Sequence, residues 1–317
     1  MKPAFSIIFF TVGSGAGLGL LALTALFDVF ASGVLSSQVV WRSAFLGLVL
    51  TAAGLASSTM HLANPKNAWR SFARVRTSWL SREATLAVAL FPVAGLYVLL
   101  VARGSAGVGR SLLALASVAL AWAVLVCTAM IYASLKSIRQ WHTRWTPVNY
   151  ALLGHWSGAL LLATAASAYA AAPPALLALA GALGFAALAA KLAYWYALVR
   201  GAPTTLSHAI GVDSGVRAPG APESVRARLF EAGHSRGTFL TDEFGFVLAR
   251  RHARWLRAIA LALAFAVPLV YLLSVEARWQ ATLASALCCM IGLLVERWLF
   301  FAEARHTVRL YHGEART

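Results

Sequence analysis

A chain of 317 residues that is 60% hydrophobic and only 12% charged, with a mean hydropathy of +0.72, is not a soluble enzyme domain, which is usually about 45–50% apolar and about 25% charged. The same composition excludes a disordered chain, and the three cysteines, Cys127, Cys288 and Cys289, lie within apolar runs and frame no disulfide scaffold. A net charge of +16 raises nucleic acid as a partner, but no base-reading motif accompanies it, and basic loops on one side of a membrane account for the excess.

Eight apolar segments follow one another, at about residues 5–30, 40–63, 84–103, 111–132, 149–171, 174–199, 256–275 and 279–301. Each is long enough as a helix, at about 1.5 Å per residue, to cross about 30 Å of hydrocarbon. No strand-like alternation competes with them, so the sequence predicts an all-α, polytopic membrane protein: one membrane domain, a bundle of eight transmembrane helices. The first segment follows a thin positive end at Lys2 without a small-residue cleavage site and reads as a retained span. Within it, Gly13, Gly15, Gly17 and Gly19 fail the dinucleotide fingerprint, because Leu20 stands where a third glycine is needed and no strand precedes them. The pairs Gly13/Gly17 and Gly15/Gly19 instead give two small faces for close helix packing. Pro173 and Pro174 mark a tight reversal between the fifth and sixth spans. The stretch 200–254 is the one sizeable polar loop, too small for a catalytic domain but large enough to dock a partner, and TFLTDEFGFVLARRHARWLR leads amphipathically into the seventh span.

Eight spans put both termini on one side. Of the 27 Lys and Arg residues, 21 then fall on that side and four on the other, with Lys191 and Arg297 inside spans. The excess of positive charge on cytoplasmic loops therefore places both termini, and the 200–254 loop, in the cytoplasm.

On that side His61 ends the second span and Glu83 opens the third. An imidazole titrates near neutrality, and ionisable groups at membrane depth mark proton pathways, so the two form a candidate proton-handling pair. The structural alternative is that His61 caps its helix while Glu83 favours the positive N-terminus of the next one. Tyr132 and Trp141, around the loop between spans four and five, belong either to the interfacial aromatic belt or to the wall of a ring-binding cleft. His155 lies about two turns into span five, where it could face the same cleft or join His61 as a haem ligand. Lys191, Glu296 and Arg297 are intramembrane charges that read as helix–helix glue, with Lys191 in need of a carboxylate. Three cysteines cannot build an iron–sulfur cluster, which usually takes four thiolates, and no metal-ligand spacing is present.

Two segments carry a family resemblance: MHLANPKNAWRSFARV…SWLSREA, from Met60 to Ala84, and MIYASLKSIRQWHTRWTP, from Met130 to Pro147. Together with the FGF…RRHARWLR approach to span seven, they resemble the membrane-anchor subunits of the dimethyl sulfoxide reductase family, closely over the first five spans and loosely over the last three. The resemblance implies a subunit of anaerobic electron transport without a redox metal of its own, joined to a molybdopterin catalytic subunit and an iron–sulfur electron-transfer subunit. Its exchangeable substrate would be a quinone, ubiquinone or menaquinone, drawn from the bilayer. The family's quinol-site residues carry over to His61 and Glu83, with Tyr132 and Trp141 as wall, and Arg70, Arg74 and Arg76 gain a second role in pairing with acids of the docked partner. Because charge places the His61 loop in the cytoplasm, the pattern looks more like the anchors of cytoplasmic molybdenum enzymes such as quinone-linked sulfite dehydrogenases. A haem b-containing anchor is the alternative reading, and a transporter the less favoured one, since a transporter would need broken helices and paired polar groups at the midplane.

Overall fold

A computed structural model of the protein describes residues 3–60, 65–210, 247–274, 278–312, 314 and 316–317. Six long helices come first: α1 (Phe5–Phe30), α2 (Ser37–Thr59), α3 (Trp79–Ala102), α4 (Val108–Ala133), α5 (Trp145–Ser167) and α6 (Pro174–Arg200). A one-turn helix at Leu206–Ala209 follows, then α7 (Val247–Leu261), a π-helical turn (Ala262–Ala266), α8 (Val267–Ser274) and α9 (Trp279–Ala302). Two 3-10 segments, Pro65–Phe72 and Thr307–His312, flank the helices at one end. Among the described residues there is no strand, only an isolated bridge between Ile138 and His306.

The helix starts are written locally. Ser36 and Ser78 precede α2 and α3, and each side chain accepts the backbone N–H three residues on, from Val39 and Ser81, at 3.4 Å, filling an orphan donor of the first turn. Pro174 opens α6 at a position where its missing N–H is no loss. Gly107, just before α4, has φ +118°, a conformation that a side chain would strain.

Among the described residues, seven helices are long and apolar enough to cross a membrane: α1, α2, α3, α4, α6, the rod Arg251–Leu272 built from α7, the π turn and α8, and α9. The expected eighth, α5, has the length, 23 residues, but not the apolar composition. Thr146, Asn149, His155, Ser157 and Thr164 dilute it. The physical reason lies in its surroundings, because α5 packs against α1, α4, α6 and α9, and a helix enclosed by protein can carry polar groups that a lipid-facing one cannot. The expected 200–254 loop falls largely on residues 211–246, outside the described residues.

At the centre stands α1, unbroken in its burial from Phe10 to Ala25 and packed on α2, α4, α5 and α9. Its two glycine faces meet two different helices. Gly17 lies so close to α2 that a Cβ there would fall 2.6 Å from the Gly47 carbonyl oxygen, and a Cβ on Gly54 would fall 2.6 Å from the Ser14 nitrogen. On the other face, a Cβ on Gly154 of α5 would sit 2.8 Å from the Gly15 oxygen, and one on Gly158 would sit 2.5 Å from the Gly19 carbonyl carbon. Backbones in direct contact gain dispersion where lipid supplies no hydrophobic force.

The π turn has an equally definite cause. Pro268 offers no N–H to the Ala264 carbonyl four residues earlier, and the Trp156 indole Nε1–H of α5 donates to that oxygen at 2.8 Å. Gly292 of α9 packs on the same turn, where a Cβ would come within 2.8 Å of Ala264 Cα. At the far end of the bundle, Arg110 of α4 grips the Asp28 carboxylate of α1 with two nitrogens and Tyr97 of α3 donates to it at 3.0 Å, so one carboxylate ties three helices.

Gly158→Ala should cost about 1–3 kcal/mol of stability by overpacking, seen as a lower melting temperature of the detergent-purified protein. Gly95→Ala, at a helical glycine with no atom within 4 Å of the added carbon, should melt no lower than the parent. Equal melting of the two variants would contradict the backbone contact.

Candidate functional site

One end of the bundle gathers the basic loops. There the α4–α5 connection is pinned to the end of α6 by Arg139, whose Nη2 donates to the Leu198 and Gly201 carbonyls at 2.7 and 2.6 Å. It is pinned to the segment after α9 as well. Trp141 Nε1–H donates to the Phe300 carbonyl at 2.9 Å, Arg305 N–H donates to Gln140 Oε1 at 3.2 Å, and Thr307 N–H donates to the Ser137 carbonyl at 2.9 Å.

Glu83 lies at the same end, on the second turn of α3, and is 3% exposed. The Thr128 hydroxyl of α4 lies in hydrogen-bond contact with Glu83 Oε1 and also 3.0 Å from the Val124 carbonyl. A hydroxyl has one proton to give and lone pairs to receive. With the carboxylate ionised, Thr128 donates to it. With the carboxyl protonated, Glu83 donates to Thr128 and Thr128 turns to Val124. Both protonation states are therefore served without moving a side chain, which suits a group that exchanges protons. Among the described residues Glu83 has no ion-pair partner.

Tyr132 is one turn beyond Thr128 on the same face of α4. Its ring meets Trp141 edge-on at 5.3 Å, stacks near-parallel on Tyr150 at 5.8 Å, and touches Phe300 and Phe301 edge-on. The structure thus brings Glu83, Tyr132 and Trp141 to one end of the bundle. The Trp141 N–H is committed to the Phe300 carbonyl and its ring, 4% exposed, stacks on the Phe300 ring at 5.8 Å, so Trp141 is packed into the aromatic core of this end. His61 falls within residues 61–64, outside the described residues.

Arg70, Arg74 and Arg76 are exposed, on the Pro65–Phe72 segment and the turns that follow it. Arg70 lies beside the exposed Trp69 ring, 5.7 Å from its centroid. Arg82 fastens this segment to α3 by donating to the Val75 and Arg76 carbonyls at 2.9 and 2.7 Å.

His155 goes elsewhere. Its Nε2 accepts the Trp122 indole N–H at 2.8 Å and its Nδ1 lies 2.8 Å from the Ala151 carbonyl, so the ring is a neutral Nδ1–H tautomer with both nitrogens occupied. Trp122 lies six residues, about 9 Å by helical rise, from Thr128, which separates His155 from the Glu83 end. A haem would have to displace Trp122 to reach Nε2. Among the described residues no three His, Cys, Asp or Glu side chains are grouped to hold a metal.

The intramembrane charges form a cluster. Lys191 of α6 and Arg297 of α9 both bind the Glu296 carboxylate, one to each oxygen, and all three side chains are buried. Lys191 thus has the carboxylate the sequence demanded. The Asp28–Arg110–Tyr97 grip and the Thr128 partner of Glu83 were not anticipated. A signal for these two carboxylates did exist: Asp28 and Glu83 are the only acidic residues before position 200.

The sequence matches the family model described as DMSO reductase anchor subunit (DmsC) over residues 1–302. The protein belongs to the DMSO reductase anchor subunit family. Among its relatives in this family, the C subunit of sulfite dehydrogenase from Allochromatium vinosum is 33% identical over 339 aligned residues, covering 98% of this protein and 99% of the relative. The C component of the anaerobic dimethyl sulfoxide reductase of Escherichia coli is 28% identical over 114 residues, 36% of this protein and 40% of the relative. As anchor subunits of multi-subunit oxidoreductases, members imply catalytic and electron-transfer partners, and the seven apolar helices agree with a multi-pass membrane protein.

In this anchor subunit, Glu296→Gln removes the anion shared by two buried cations and should cost about 3–5 kcal/mol. Lys191→Met leaves the Glu296–Arg297 pair neutral and should cost far less. The amount of folded protein extracted from membranes, with its melting temperature, distinguishes the two.

Proposed function

We propose that this protein is the membrane anchor of a molybdenum oxidoreductase, exchanging electrons between the quinone pool and an iron–sulfur subunit docked on its basic end. α5, enclosed by its neighbours, is the eighth span. Both termini, and the loops carrying Arg70, Arg74 and Arg76, face the cytoplasm across the bacterial inner membrane, as the 21-to-four division of basic residues implies. The partner subunit holding molybdopterin is then cytoplasmic. The similarity to the A. vinosum sulfite dehydrogenase anchor along nearly the whole length favours a quinone-linked sulfite dehydrogenase.

The observation that carries this reading is Glu83: a buried carboxyl at the basic end of the bundle, lacking an ion-pair partner among the described residues, and bonded to a hydroxyl that accommodates either protonation state. A quinone headgroup entering between α2, α3 and α4 meets His61 and Glu83 as proton-exchanging groups, with Tyr132 and Trp141 as aromatic wall. Each quinone reduced takes two electrons from the docked iron–sulfur subunit and two protons through these groups, and each quinol oxidised returns them. Exposed guanidiniums at Arg70, Arg74 and Arg76 steer an acidic face of the partner into place.

Membranes holding the assembled complex provide the test. Glu83→Gln keeps the shape and the bond to Thr128 but cannot exchange a proton, and His61→Ala removes the imidazole. Each should lower quinone-coupled turnover by about 10²-fold or more, the range of general acid–base contributions, while the catalytic partner stays active with a soluble dye. Quinone coupling that survives both changes would sink the assignment.

A further inference from the structure

The densest charge inside the bundle has no part in the quinone chemistry above, and its sum is not zero. Lys191 and Arg297 share the single Glu296 carboxylate. Fully ionised, the cluster carries one surplus positive charge in a region where uncompensated charge is costly. Aromatic faces offset part of this: Lys191 Nζ lies 4.3 Å from the Tyr194 ring centroid and 5.0 Å from that of Trp195, and Arg297 Cζ lies 4.5 Å from Tyr150 and 4.8 Å from Phe300. A guanidinium stays protonated in proteins. Lys191 is therefore the cation that can shed its proton and leave the cluster neutral.

The cluster also lies between a cavity open to solvent and the aromatic residues near Glu83. On one side is an open cavity of about 400 Å³ at the basic end, lined by Tyr194, Arg139, Gln140, Arg257, Glu303 and Arg305, among others. Tyr194 is one turn of α6 from Lys191. Glu303, held by Arg257 at 2.8 Å, is two turns beyond Glu296 at the end of α9. On the other side, Arg297 borders the Tyr150 ring, the buried Tyr150 hydroxyl has no hydrogen-bond partner among the described residues, and Tyr150 stacks on Tyr132, one turn of α4 beyond the Thr128 that bonds Glu83. A cavity of about 20 Å³ joins Tyr150 and Arg297 to Thr11 and Ser157, enough for one water. The ionisable groups facing the cluster thus come from α4 (Tyr132), α5 (Tyr150), α6 (Tyr194), α7 (Arg257) and the end of α9 (Glu303), while α1 contributes only the Thr11 hydroxyl.

We propose that Lys191 is a proton-holding station between this cavity and Glu83, reached from the cavity past Glu303 and Tyr194 and connected onward by a water in the small cavity beside the unpartnered Tyr150 hydroxyl, then along Tyr132 and Thr128. Lys191 alternates between ammonium and amine. Only N–H and O–H bonds are made and broken, and the two electrons per quinone still pass to or from the iron–sulfur partner. This rests on the reading of Glu83 as the proton group of the quinone site.

The test compares three variants of the assembled complex in membranes: Glu83→Gln, Lys191→Met and Lys191→Arg. Lys191→Met leaves a neutral ion pair, and Lys191→Arg retains the charge but cannot give up its proton to become neutral. Both Lys191 variants should lose about 10-fold or more of quinone-coupled turnover, with a larger solvent deuterium isotope effect than the parent and unchanged dye-coupled activity. If the arginine does not fit and the complex fails to assemble, the isotope effect in Lys191→Met decides. Rescue of coupling by arginine, or full coupling in Lys191→Met with an unchanged isotope effect, overturns the proposal and leaves the cluster as helix–helix glue. Loss of coupling in the Lys191 variants but not in Glu83→Gln overturns the connection to Glu83. Loss in Glu83→Gln alone refutes only the station, whereas full coupling in all three refutes the quinone-site reading itself.

Discussion

Hydrocarbon can neither solvate a charge nor satisfy a loose backbone group, so every ionisable side chain within these helices is defined by what answers it. Asp28 and Glu83 show the range. Asp28 is gripped by a two-pronged guanidinium and a phenol, which makes it a structural tie among three helices. Glu83 is answered by one reversible hydroxyl, so its charge state is left free to change. The same residue class, buried in one bundle, is held by charge at one end and by a single hydroxyl at the other.

The sequence was legible where the cause is local. Apolar run lengths located the helices, the two glycine pairs of α1 announced two close neighbours, and the motif around Tyr132 and Trp141 held residues that prove to be in ring contact. It was illegible where the cause is distant. Lys191 finds Glu296 across 105 positions and Arg110 finds Asp28 across 82, and nothing in either neighbourhood names the other. His155 is an isolated imidazole in sequence. That it turns to Trp122 and away from the Glu83 end depends on how α4 lies against α5. The polarity of α5 makes the same point, because its tolerance for Asn149 and Ser157 comes from three-dimensional enclosure that a hydropathy profile cannot register.

Prolines and glycines act here through their partners rather than alone. Pro268 would be a defect in an isolated helix, since it deprives Ala264 of a donor. The Trp156 indole repairs that defect from α5, and Gly292 lets α9 close over the same turn. The C-terminal helices are thereby indexed to α5 at a single height, which in turn sets Glu296 level with Lys191.

The connection between α4 and α5 takes its shape from residues that lie far downstream: Phe300 receives Trp141, Arg305 reaches Gln140 and Thr307 reaches Ser137. Ribosomes deliver this protein from its amino end, so the first five helices are made before the segment that shapes their shared rim has been translated. The finished rim is a late product of biosynthesis, and a polypeptide truncated before Phe300 would lack the residues that give it its shape.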